Sequence, residues 1–453
     1  MPDADNLALV RHAVELARRA GAEQCDAYLV AYQEFDLTVR LGRVEKLVEA
    51  GSRQLGLRVI TGGRTAVCST SDLGEEAIER LARETVDLAT ISAPDEFAGL
   101  PEPDTLAAVG TDGLQLYDER LANLPFEEQL ALVTACEQAA FDADSRVTNS
   151  DGASLTTRIG EVCLANSHGF AASYPHTRVS LAVEVMADDA GGKKRNGYWF
   201  SSERSLHRLL APEEVGRIAA RRAVGQVGAR KVATRQVPIV FEPMTAVRLL
   251  GDLASCLTGN ALYRKATFLA GREGQRVGSE LFDLVDDPGI PAAPGSRPFD
   301  GEGVAGQRKH LFSRGVFQGF LFDTYSARRT GNRSTGSANR AVDSSPYPGP
   351  SNLVLEAIAP VPLGDLIADI REGFLVTELI GHGFNPTSGD WSRGAAGYWI
   401  EGGEIAYPVT EVNVSGTLES MLAGIDALGD DLTWFGSMAA PTVRIQGMTL
   451  SGL

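Results

Sequence analysis

Residues 25–70 read CDAYLVAYQEFDLTVRLGRVEKLVEAGSRQLGLRVITGGRTAVCST. Three runs within this stretch, CDAYLVAYQ, FDLTVRLGRVEKLVEA and RQLGLRVITGGRTAVCST, alternate apolar and polar residues with a period close to two. That period puts every second side chain on one face, so each run is expected to form strand with one covered side. Gly62-Gly63 is expected to be a hairpin turn, because glycine enters the left-handed backbone that such turns need. The sheet should therefore be antiparallel.

Working outward, Leu7, Val10, Val14 and Ala17 fall on one face of an N-terminal helix that ends at Gly21. Downstream, Ile78, Leu81, Ala82 and Val86 make the buried stripe of a helix from about Glu75 to Ile91. Residues 1–92 thus read as helix, antiparallel strands, helix. Residues 93–115 are rich in Pro, Gly and acid and read as a linker. A unit spanning 116–230 opens with the helix FEEQLALVTACEQAAFDA. It continues in the strands RVTNSDGASLTTRIGEVCLANS, TRVSLAVEVMAD and GYWFSSERS, and closes with a helix from Pro212 to Val227. VPIVFEP at 237–243 opens a third unit, 231–453. There VRLLGDLASCLTGN (247–260) reads as a helix, and KHLFSR and VFQGFLFD as a hairpin turning at Arg314-Gly315. The segment 381–416 reads as short aromatic strands divided by glycines, which suit tight turns and bulges. The expected class is α+β: an N-terminal α/β region with antiparallel strands and flanking helices, then a C-terminal region rich in antiparallel sheet.

The totals exclude several functions. Of 453 residues, 43% are hydrophobic, enough for a sizeable core. Lys plus Arg number 42 against 59 Asp plus Glu, a net charge of −17 that repels phosphate backbones and argues against nucleic-acid binding. The five cysteines, at 25, 68, 136, 163 and 256, show no Cys-x-x-Cys spacing, so neither a zinc ribbon nor a disulfide framework is indicated. Free thiols suit a reducing compartment. No apolar run reaches 18 residues, and the N-terminus lacks an apolar signal core, so the expected location is cytoplasmic, away from membranes.

Single motifs carry little chemistry. Asp252 and Cys256 stand four apart on the helix of 247–260, a spacing that metal sites use, yet Leu250, Leu253, Ala254 and Leu257 form an apolar stripe there and an ordinary packed helix explains the pattern. His168 and His176 have no carboxylate between them and no ligand spacing, and His382 sits in a Gly-His-Gly turn. DGEGVAG (300–306) precedes strand-like residues rather than a helix, so it is no phosphate loop. No Gly-x-Ser-x-Gly elbow occurs.

Several ordered stretches together are more specific. SELFDLVDDPG (279–289), PFDGEGV (298–304), TYSARRTGNRSTG (324–336), GFLVTELIGHG (373–383), TSGDWSRGAAGYWIEGGEIAYPVTE (387–411) and GDD (429–431) occur in that order. In them the chain resembles the TldD/PmbA family, the "modulator of DNA gyrase" family, whose TldD and TldE (PmbA) subunits form a peptidase. The TSGDWSRGAAGYWIEGGEI segment resembles the TldE/PmbA branch. The resemblance implies an N-terminal α/β region and a C-terminal region of antiparallel sheet. It also implies that TldD-type subunits bind one metal through His-Glu-x-x-x-His on a helix and a cysteine near the C-terminus, and that TldE-type subunits lack this set.

Aligned on Leu249-Leu250, the family's first histidine falls on Gly251, its glutamate on Asp252, its second histidine on Cys256, and the late cysteine near Phe435 or Gly436. A catalytic zinc takes three protein ligands and an open position for water. Glycine and phenylalanine supply none, and no His occurs between 207 and 310 to rescue the motif. The resemblance then implies no metal in this chain, zinc in a TldD-like partner, and a shared peptide substrate that is short or unfolded, including precursor peptides. TYSARRTGNRSTG, read as a strand-to-loop segment, offers Tyr325, Ser326, Arg328 and Arg333 to an extended peptide; the plain alternative is a solvated basic loop. Asp390, Ser392 and Arg393 are similar candidates, followed by small residues that let a peptide strand approach a sheet edge. Two other functions stand beside this one: a metal-free homodimer with a binding or regulatory role, and a hydrolase with an unorthodox site at Asp252 and Cys256.

Overall fold

The computed structural model describes residues 4–108, 110 and 113–452. The first half of the chain forms α1 (Ala4–Arg19), β1 (Gln24–Arg40), β2 (Arg43–Thr61), β3 (Arg64–Thr70), α2 (Glu75–Ile91), α3 (Glu119–Ala122), α4 (Phe126–Ala143), β4 (Val147–Asn166), β5 (Ala171–Asp188), β6 (Lys194–Glu203) and α5 (Pro212–Gly225). Helices α2 and α4 have the limits expected from the sequence. The hairpin at Gly62-Gly63 is present, with φ of 56° and 70°. A second turn was not signalled. The runs expected to break near Glu34 are one continuous strand, β1, and the chain reverses at Leu41-Gly42, with φ of 51° and 71°. Leucine in left-handed backbone is not a turn signal.

The six strands form one antiparallel sheet of order β3-β2-β1-β4-β5-β6. Segments 1–92 and 116–230 therefore share a sheet, joined along β1 and β4 from Asp26↔Asn166 to Val39↔Ala153. Odd-numbered residues such as Leu29, Leu155 and Leu181 face the helices: α1 and α2 cover the half around Leu29, Leu57 and Ile78, and α4 and α5 the half around Val133, Leu155 and Ala219. Even-numbered residues such as Asp26, Tyr28, Tyr174 and His176 point the other way, toward the rest of the chain.

The second half forms β7 (Arg235–Phe241), α6 (Pro243–Cys256), α7 (Gly259–Tyr263), β8 (Phe282–Asp286), β9 (Lys309–Ser313), β10 (Val316–Phe317), α8 (Thr324–Thr330), β11 (Ala338–Asn339), β12 (Tyr347–Pro348), β13 (Leu353–Ala357), α9 (Leu363–Ile367), β14 (Glu372–Ile380), β15 (Asp390–Glu401), β16 (Glu404–Thr417), α10 (Leu418–Ala423), β17 (Ile425–Leu428), β18 (Thr433–Phe435), β19 (Met438–Ala440) and β20 (Val443–Ser451). One sheet runs β10-β9-β8-β13-β19-β18. A second runs β16-β15-β14-β7-β20-β17, and β16 also pairs with β20, closing five strands into a ring. Pairing is antiparallel except β13 with β19 and β14 with β7. The fold is α+β, and α6 lies in its main core, with Leu249, Leu250 and Leu253 among Phe241, Phe282, Phe312 and Trp391.

The two halves meet through buried charge. Asp26 accepts from Arg58 Nε at 2.9 Å and from Arg340 Nη2 at 2.6 Å, and the Asp26 and Arg340 side chains are 2% and 0% exposed. Burial works to raise the Asp26 pKa, but Arg340 and Arg58 outweigh it and hold the carboxyl below its usual range. The backbones touch as well: a Cβ on Gly56 would lie 1.8 Å from the Val342 carbonyl oxygen. Within 93–115, Pro103–Thr105 forms one 3-10 turn, and Leu106 bridges to Val304.

Candidate functional site

Helix α6 starts with Pro243 in its first turn, where a missing N–H costs nothing, and buries Thr245, Ala246, Leu249, Leu250, Leu253, Ala254 and Cys256. Just before it, Glu242 pairs with Arg222 of α5 at 2.6 Å. The helix stops at Leu257 because Thr258 caps the next one, accepting from Ala261 N. Against α6 pack β18 and β19, so the helix and Phe435 belong to neighbouring elements.

Of the four positions that align with the family's metal motif, one has no side chain and three have other partners here. Gly251 faces open space: a Cβ added there would meet nothing within 4 Å. Asp252 is 15% exposed and accepts from Arg393 Nη2 at 2.8 Å on each oxygen and from Trp391 Nε1 at 2.8 Å on Oδ2. Arg393 Nη1 also donates to the Gly381 carbonyl at 3.0 Å, and Trp391 is 1% exposed. The carboxylate thus fastens the start of β15 to α6. Cys256 is fully buried, with Sγ 3.8 Å from the Pro386 carbonyl oxygen. Burial pushes its thiol up to about 11, so it is a neutral thiol at physiological pH. The Phe435 ring packs edge-on against Trp199 and Phe200 of β6, both at 5.7 Å. A side-chain-free glycine, a carboxylate already shared by two donors, a buried protonated thiol and a hydrocarbon ring do not fit a zinc that needs three protein ligands. Among the described residues no three His, Cys, Asp or Glu side chains are grouped to hold a metal ion.

TYSARRT is a helix, α8, where a strand-to-loop segment was expected. Asp323 caps it by accepting from Ser326 N, and Gly331 ends it at φ 70°. Seven residues are too few for an apolar stripe to announce it. Ser326 is fully buried and its hydroxyl is tied to Asp323. Tyr325 OH donates to Asp95 at 2.7 Å, and Arg328 Nη2 donates to the Leu100 carbonyl at 2.7 Å and to Glu102 at 2.9 Å. These side chains clasp segment 95–102 of the first half, and Arg333 is exposed.

Asp390, Ser392 and Arg393 lie on β15, which offers no free edge. β16 flanks it from Asp390↔Thr417 onward, β14 flanks it from Gly394, and Ser392 N donates to the Gly383 carbonyl at 2.7 Å. Asp390 holds Ser388 and is exposed, as is Ser392. The structure brings Asp252 and Arg393 together across 141 residues; it does not bring α8 to them as donors. Sequence reasoning missed Trp391 as the third member, though it stands two residues before Arg393. It also missed the Glu242–Arg222 pair.

Three family models match in order: PmbA/TldA metallopeptidase domain 1 at 25–89, the central domain at 119–227, and the C-terminal domain at 234–452. Over 445 residues the chain is 33% identical to the metalloprotease PmbA homolog of Haemophilus influenzae, covering 98% of this chain and 95% of that one. The chain belongs to the PmbA/TldD family. It is 24% identical over 392 residues to the metalloprotease TldD homolog of the same organism, covering 83% of this chain and 79% of that one. Among solved structures, a protein described as a modulator of DNA gyrase from Bacteroides thetaiotaomicron superposes with a TM-score of 0.93 at 28% identity, covering all of both chains. TldE from Thermococcus kodakarensis shares the fold, with a TM-score of 0.86 at 22% identity over 98% of this chain and 99% of that one. No helix among the described residues is long and apolar enough to cross a membrane.

Proposed function

We propose that this chain is the PmbA/TldE-type subunit of a two-part metallopeptidase, and that the zinc and the catalytic histidines belong to a TldD-like partner. The observation that carries this reading is the state of Asp252. At the position of the family's glutamate, the carboxylate is engaged by Arg393 and Trp391 and serves as a fastening between helix and sheet. A general base must instead present a free lone pair to a metal-bound water. The greater identity to a PmbA homolog than to a TldD homolog supports the same branch. The substrate is a short or unfolded peptide, enclosed jointly by the two subunits in the cytoplasm.

The test is co-expression with a TldD-like subunit, followed by sizing and a peptidase assay. The expected outcome is a stable hetero-oligomer whose activity is lost with chelator and with substitution of the partner's motif histidines. A chain that elutes only with itself, and adds nothing to the partner's activity, would sink the proposal.

A further inference from the structure

The face of the first sheet that points away from its helices is not fully covered. Beyond the part held by Asp26 and Arg340, loop 294–297 arches over β4 and β5 and leaves a cavity of about 290 Å3. Past Tyr174 and Arg297 it adjoins a second cavity of about 250 Å3 reaching Tyr28. Four arginines line the first cavity, at 158, 178, 204 and 297, against one carboxylate, Glu203. In a chain of net charge −17 this is a local reversal of sign.

Little of that charge is met by an ion pair, although the buried Asp300 of the adjoining cavity acts on Arg297. Arg158 is paired with Glu34, its Nε 2.9 Å from Oε2. Arg178, Arg204 and Arg297 form no ion pair among the described residues. Arg204 is 8% exposed and spends Nε and Nη2 on the carbonyls of Ala293, Pro294 and Ser296. Arg178, at the exposed rim, gives Nε to Ser202 Oγ at 3.0 Å. Arg297 gives Nη1 to Asn339 at 2.7 Å, while its Nε and Nη2 are buried without a partner. Those two atoms form one edge of the guanidinium, the edge that presents parallel N–H groups to both oxygens of a carboxylate or phosphate. Buried donors are rarely left unsatisfied without a reason. The like charges also act on one another: burial, then Arg204, Arg158 and Arg178, holds His176 down at about 4, and burial, opposed by Tyr174 and aided by Arg178, brings Arg204 to about 10. An anion would relieve that repulsion.

We propose that this cleft binds a small oxyanion, a phosphate or carboxylate group, gripped by Arg297 and Arg204 with Arg178 at the rim. Two sources share that chemistry: inorganic or ester phosphate, and the C-terminal carboxylate of a peptide. The cleft is separate from α6, and the inference stands whether or not the chain is a peptidase subunit.

Calorimetry on the full isolated chain tests it with three probes: sodium phosphate, a short peptide with a free C-terminus, and the same peptide as its C-terminal amide. The expected result is one-to-one binding of phosphate, of the free-carboxylate peptide, or of both, weakening as chloride rises. Loss of binding in the amide assigns the peptide source, and binding of phosphate alone assigns the other. Arg297→Met should weaken binding about tenfold or more, as expected for loss of a charge-assisted pair of hydrogen bonds, and Arg178→Gln several-fold. Circular dichroism checks that both variants fold, and if Arg297→Met does not, the exposed Arg178→Gln decides. Binding by neither phosphate nor the free-carboxylate peptide up to about 10 mM, or unchanged affinity in the folded variants, overturns the proposal.

Discussion

Replacing Asp252 by alanine strips two buried donors of their acceptor at once, Arg393 Nη2 and Trp391 Nε1. A buried charge left without its partner costs about 3–5 kcal/mol, and an orphaned neutral donor about 1–3 kcal/mol. The full sum overstates this case. The Asp252 side chain is 15% exposed, so water reaches the gap, and Arg393 keeps the Gly381 carbonyl. About 3 kcal/mol is the expected loss for the second half of the chain, which lowers its melting temperature by roughly 6–12 °C at 2–4 °C per kcal/mol. Asp252→Asn keeps one acceptor oxygen and should lose about half as much. A double-mutant cycle with Arg393→Met should give a coupling of about 1–2 kcal/mol, because removing both partners leaves no unpaired charge. Melting followed by circular dichroism and tryptophan fluorescence reads all three variants. Well below the transition, activity per assembled complex with a TldD-like partner should stay near that of the parent. An alanine variant that melts within about 2 °C of the parent, or that assembles normally at full stability with no activity, would refute the fastening role.

Further expectations follow from other contacts. Asp323 is buried, and burial followed by Glu302 raises its carboxyl from the ordinary 3.8 to about 6. A raised carboxyl stabilises fully below the unfolded value and loses that contribution as pH climbs through about 6, so Asp323→Asn, which keeps the oxygen that caps α8, should flatten roughly 2 kcal/mol of pH dependence between pH 4 and 7 in melting curves. Phe435→Ala removes two edge-on ring contacts between the halves and should cost about 3 kcal/mol, read by urea denaturation. Gly56→Ala drives a methyl into the Val342 carbonyl and should loosen segment 336–342, seen as faster amide exchange there while α4 and α5 stay protected. The isolated chain should carry no stoichiometric zinc by elemental analysis, and Cys256→Ala should not change that, since Gly251 and Phe435 provide no ligand.

Much of the fold could be read from period and punctuation. The stripe Ile78, Leu81, Ala82, Val86 marks α2, and Arg314-Gly315 turns a hairpin, with φ of 46° and 77°. What stayed hidden is non-local. Nothing in the alternation of 25–33 reveals that β1 pairs with residues 153–166, and this pairing makes one sheet from two segments. The short helix α8 was hidden for a different reason: its signals are one cap and one glycine. In the candidate site, the family's positions on α6 could be placed by spacing, but the partner of Asp252 lay 141 residues away and was expected to face a peptide instead. The arginine cleft had no contiguous signature, because its members sit on two strands, a strand end and a loop. Only the parity of Tyr174, His176 and Arg178 hinted at a common face.

The junction of β1 with β4 also sets a clock on synthesis. When β1 and β2 have left the ribosome, the far edge of β1 still shows its N–H and C=O groups, and it keeps showing them until Asn166 emerges. At roughly 5–20 residues per second that wait lasts on the order of 5–21 s. An open strand edge is a template for pairing with any neighbouring chain. Nascent copies on the same message are therefore exposed to one another during that interval. A chain stopped before β4 cannot end the exposure by itself, which marks fragments ending between residues 92 and 146 as the ones most prone to co-aggregate.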